Sequence, residues 1–190
     1  VAVSWFLAAT TLFFACVIAE DTERRLKILL SGYMFAAVIA SLIAILAYFR
    51  ALPSADSFLL YGRAKATFND PNVLGPFLVL PGLLAIRRAL SFRFKDLVIG
   101  GAQVSLIVVA ILLTFSRGAW GHFAFSAAVF VALLFVVSND TRERTRIVAA
   151  TICGLTVLGL LLVALLSMQG VSNLFAERAT LSQSYDMGEM

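Results

Sequence analysis

The chain is poor in the side chains that carry most catalytic chemistry. Histidine occurs once, at position 122, and cysteine twice, as Cys16 and Cys153, both inside apolar runs. That excludes a disulfide framework and any zinc-type spacing, and the thiols read as small packed hydrophobes. Charged residues make up 14% of the sequence, against about 25% in a soluble domain. No Asp-x-Asp metal motif, phosphate-cradling glycine loop or Ser-His-Asp set occurs. The apolar runs also hold no Asp, Glu or Lys of the kind that ion-coupled transporters place inside a membrane.

What the chain has is hydrocarbon. Hydrophobic residues make up 61% of it, and mean hydropathy is +0.96. Apolar runs fall near 1–19, 28–49, 71–88, 97–115, 118–137 and 147–167. Each is long enough to cross a bilayer as a helix, which takes about 20 residues. The expected fold is therefore all-α, a polytopic membrane bundle of about six transmembrane helices forming a single domain over residues 1–190. With no Met before Val1 and polar residues running to Met190, we expect a fragment of a larger bundle, with 168–190 beginning an outer loop. The third run is the least regular. Asn69 or Asp70 can cap its start and Pro71 suits its first position, while Pro76 and Pro81 predict a kink.

Charge orients the bundle. Arg24, Arg25, Lys27, Arg87, Arg88, Arg93, Lys95, Arg142, Arg144 and Arg146 fall on one set of connections; Arg50, Arg63, Lys65, Arg117 and Arg178 fall on the other. The richer set belongs in the cytoplasm. Val1, the 50–70 loop, the 116–118 hinge and the 168–190 tail then lie outside. The net charge of +4 reflects this orientation and implies no nucleic-acid partner.

Three places on the outer set stand out. Arg117 is the only formal charge between Leu97 and Val137. A charge at mid-bilayer costs about 2.5–3.5 kcal/mol, so Arg117 belongs at a hinge between two crossings, with Gly118 allowing a tight turn or close helix approach and Ser116 able to bond a freed backbone group. Arg63 and Lys65 precede a capped helix start around Asn69 and Asn72, where N–H groups and the helix dipole attract anions. Arg178, near Glu177, opens the polar tail. Each cation also has a bland reading as a headgroup contact of the membrane lipid, and Trp120 reads as an interfacial aromatic. His122 lies five residues beyond Arg117, about 500° around a helix, and is not a candidate base.

Arg63 with Thr67-Phe68-Asn69-Asp70-Pro71-Asn72, a proline-rich helix, and then Thr114-Phe115-Ser116-Arg117-Gly118-Ala119-Trp120 together resemble the O-antigen ligase and polymerase superfamily over roughly residues 25–190. The resemblance implies a glycosyltransferase of the bacterial inner membrane, with its site facing the periplasm. Its donor would be an undecaprenyl diphosphate-linked glycan, and its acceptor lipid A–core or a growing O-antigen or exopolysaccharide chain. It implies a catalytic Arg117 that neutralises the diphosphate leaving group, with Arg63, Lys65, Asn69, Asn72, Ser116 and Arg178 binding substrate. It implies no metal and no cofactor, and a general-base histidine beyond Met190, which would leave the fragment inactive alone. Two other classes remain open: a transporter of lipid-linked or anionic solute, and a structural membrane subunit.

Overall fold

The computed structural model describes residues 9–15, 21–91 and 93–167, and the chain divides into two units, 1–36 and 37–190. Helix α1 is Thr22–Tyr48, followed by a 3-10 turn at Ala55–Phe58 and a two-stranded ribbon, β1 (Leu59–Leu60) and β2 (Arg63–Ala64). Four helices follow: α2 (Pro71–Ala89), α3 (Phe94–Leu113), α4 (Arg117–Val137) and α5 (Thr141–Leu166). All five helices are long and apolar enough to cross a membrane. The all-α, membrane-spanning architecture expected from composition is the one observed. Residues 9–15, within the first apolar run, are helical; the rest of that run and the 168–190 tail lie outside the described residues.

Hydropathy located the spans but not the helix ends. The run at 28–49 belongs to a helix beginning at Thr22, and the run at 147–167 to one beginning at Thr141. Both extensions are charged turns that water can solvate and helix geometry favours. Glu23 pairs with Lys27 at 2.7 Å one turn on, and Asp140 caps α5 by accepting from the Arg142 amide.

In the second unit the core is built from small residues. Ala37, Ala40, Ser41, Ala44 and Ala47 form one buried face of α1. Without a strong hydrophobic force between helices in lipid, close packing of small side chains holds a bundle together. Helices α2 and α3 carry the rest of the core, including Leu74, Leu78, Ile107 and Leu113, all fully buried. By contrast, among the described residues α4 buries only Ala119 and α5 only Ile147. Much of their remaining surface, Phe125, Val137, Leu160 and Val163 included, is exposed, as lipid-facing residues are.

The prolines on which the kink was expected, Pro76 and Pro81, both lie inside α2, which continues as one helix through them. Pro71 stands at its first position and Asp70 is the cap, its Oδ1 accepting from the Asn72 amide at 2.6 Å. Asn69, the other candidate cap, is exposed.

Candidate functional site

The described residues singled out around Arg63 and Arg117 gather at one end of the second unit, the end where α1 and α3 finish and α2 and α4 begin. The ribbon organises it. Tyr61 (φ 49°) and Gly62 (φ 73°) both adopt the left-handed region, as the two central residues of a type I′ hairpin must. Leu59 pairs with Ala64 and Leu60 with Arg63, and the Lys65 amide donates to the Phe58 carbonyl. Arg50 is also left-handed, at φ 58°. The Ala51 amide reaches the Leu46 carbonyl and the Arg50 amide that of Ala47, which is the Schellman closure of a helix end. The Arg50 side chain is then held by Asp56 at 2.6 Å.

From β2, Arg63 crosses to two other elements. Its Nε donates to the Thr114 carbonyl at 2.8 Å, and its Nη2 to Asn72 Oδ1 at 2.9 Å. One guanidinium thus ties the first turn of α2 to the end of α3. The end of α3 has carbonyls without helical partners, and a cation suits its negative pole. Other donors complete it: the Ile111 carbonyl accepts from Thr114 Oγ1 at 2.7 Å and from Trp120 Nε1 at 3.1 Å. Trp120 is therefore bonded across the turn rather than only facing the interface. The two sequence segments that carried the family resemblance are brought into direct contact.

The turn from α3 to α4 differs from the one expected. Gly118 is helical, exposed and has open space where a side chain would stand. The left-handed residue is Phe115, at φ 49°. Its buried ring lies between Tyr48 and Trp120, with centroids 6.1 and 6.4 Å away. Ser116 caps α4, its Oγ accepting from the Ala119 amide at 3.4 Å, and Arg117 is the first helical residue. The glycine that does permit close approach is Gly75: a Cβ there would collide with that of Ala119.

That contact sets the electrostatics. Gly75 lies one turn inside α2, and Ala119 lies in the first turn of α4, so two helix N-termini stand side by side. Each carries the positive end of a helix dipole, and neither has an acidic residue in its first turn. Arg117 is a cation at the first position of α4, where the helix dipole alone favours a carboxylate. Among the described residues this end carries Arg50, Arg63, Lys65 and Arg117 against Asp56 and Asp70. Asp56 is engaged by Arg50 and Asp70 by its own helix start. The arrangement suits an anion with several oxygens.

Lys65 is half-buried, and its backbone amide helps close the ribbon. Asn69 is exposed and Asn72 is committed to Arg63. Ser116 serves as the cap. Arg178 lies outside the described residues. His122 is exposed on α4. The sequence reading missed the ribbon and the Arg63–Thr114 bond; the Tyr61-Gly62 pair between short apolar flanks was the available signal for the ribbon. No family model, curated protein or solved structure matches the chain.

Proposed function

We propose that this chain is membrane-embedded machinery of a bacterial inner-membrane glycosyltransferase that moves a glycan from undecaprenyl diphosphate at the periplasmic face. The observation that carries the reading is the adjacency of the two helix N-termini, with Arg63 and Arg117 at the same end. Fixed positive charge gathered at one end of membrane-length helices supports a ligand that carries a diphosphate at the membrane surface. The acceptor hydroxyl, on lipid A–core or on a growing glycan, attacks the anomeric carbon of the donor. The bond from that carbon to the diphosphate oxygen breaks, and the acceptor proton passes to a general base. Charge accumulates on the leaving diphosphate, and preorganised donors there lower the barrier. Arg117 takes this role directly. Arg63, already bonded to Thr114 and Asn72, holds the site together and adds to its potential. His122, five residues from Arg117, is not assigned the base.

Replacing Arg117 with Ala in the full-length protein abolishes glycan transfer while membrane insertion stays intact; near-normal transfer refutes the role. Arg117→Lys separates a bidentate phosphate ligand from a headgroup anchor, because lysine keeps the charge but not the guanidinium fork. Full activity with lysine favours the structural-subunit reading. Movement of lipid-linked glycan across purified vesicles without bond transfer favours a transporter.

A further inference from the structure

The opposite end of the second unit has its own built surface. Helices α2 and α3 are joined by a short turn rich in cations: Arg87, Arg88, Arg93 and Lys95. The two helices that flank it are closely packed. Gly100 of α3 lies against the backbone of Ala85 and Ala89, where any side chain would collide, and Arg88 Nε bonds Asp96 Oδ1 across the turn at 3.1 Å. That pair uses the only acid of the turn. The side chains of Arg87, Arg93 and Lys95 are exposed and make no hydrogen bond or ion pair among the described residues. Between two of these cations Phe94 stands 80% exposed.

The neighbouring turn, from α4 to α5, commits its acids in the same way. Asp140 caps α5 and Glu143 accepts from Ser138 Oγ at 2.7 Å. Arg144 is also committed, to the Ser138 carbonyl at 2.9 Å and over the ring of Phe135, whereas Arg142 is exposed. Local structure thus consumes the negative charge at this end and leaves cations outward.

We infer that the α2–α3 turn is a docking surface for anionic phospholipid. The turn joins two spanning helices, so it lies at the level of the headgroups. There Arg87, Arg93 and Lys95 meet lipid phosphate, and the Phe94 ring enters the boundary between headgroup and acyl chain. Orientation of the chain needs only a charge excess in its loops; it does not need the acids spent locally or an aromatic left bare between two cations. This inference is independent of the glycan-transfer reading, since it uses none of the same residues.

The test is native mass spectrometry of the full-length protein in detergent, counting bound phosphatidylglycerol against phosphatidylcholine. Wild type should hold phosphatidylglycerol preferentially. Arg87→Gln, Arg93→Gln and Lys95→Gln together should cut that preference by about a hundredfold, at about fivefold per cation. Phe94→Ser should weaken binding of the intact lipid but not of glycerol phosphate. Because the substituted side chains are exposed, an unchanged melting temperature in phosphatidylcholine checks the fold, and Arg87→Lys with Arg93→Lys should retain the preference. Equal binding of the two lipids, or full retention by the triple variant, overturns the proposal. So does inorganic phosphate competing as well as the lipid, which would mark a free-anion site, or loss of the preference only when the triple variant unfolds.

Discussion

Phe115 is a phenylalanine in a backbone conformation that favours glycine. The left-handed geometry costs about 1–3 kcal/mol, whereas truncating a buried phenylalanine costs about 3–5 kcal/mol. Packing against Tyr48 and Trp120 wins. Phe115→Gly should therefore destabilise the protein by about 2 kcal/mol in a detergent melt despite relieving the dihedral, and a gain in stability would show the ring to be dispensable. Tyr61 presents the converse case. Its side chain is 86% exposed, so little packing offsets its left-handed backbone. Tyr61→Asn installs the preferred residue of a type I′ turn and should raise stability by about 0.5–1 kcal/mol; a lowered melting temperature contradicts the turn assignment. These residues also mark what the sequence withheld. Its turn signal was Gly118, because glycine is the residue that left-handed geometry ordinarily selects. A phenylalanine forced there by packing carries no local mark, and Tyr48, one of the two rings that hold it, is far away in the chain.

Between elements, the decisive contact is Gly75 of α2 on Ala119 of α4. Gly75→Val should cost about 1–3 kcal/mol by overpacking, and Ala119→Gly in the same chain should restore part of it, as residues in contact are coupled. Independent losses that simply add would mean the two helix starts are not pressed together. Arg63 makes a second tie, and Arg63→Ala should lower stability by about 1.5–3 kcal/mol, the range for hydrogen bonds to charged groups. Arg117→Ala should cost much less, since a cation is misplaced at a helix start. That contrast separates the two arginines by how much of the fold each holds together. The start of α2 was legible because a cap and a first-position proline are local signals. The ribbon was not, because two-residue strands are too short to show a period. The bond from Arg63 to Thr114 spans the chain between two segments that no local rule connects.

For the molecule as a whole, composition and run length were enough to give an all-α membrane bundle, because burying unpaired backbone groups in hydrocarbon leaves few alternatives. The gathering of Arg50, Arg63, Lys65 and Arg117 at one end follows from the alternation of the helices, and was legible as charge sorting between loops. Ser57→Cys, made in a protein with Cys16 and Cys153 replaced, should react with a membrane-impermeant thiol reagent from the periplasmic side; labelling only after permeabilisation reverses the orientation. The adjacency of two positive helix ends, on which the proposed chemistry rests, came only from the fold. Titration of the purified full-length protein with undecaprenyl diphosphate tests it most directly. Wild type should bind the diphosphate more tightly than undecaprenyl monophosphate, and Arg117→Ala should weaken diphosphate binding by at least about tenfold, the loss of one charge-assisted hydrogen bond. Equal affinity of wild type and Arg117→Ala for the diphosphate would contradict the account.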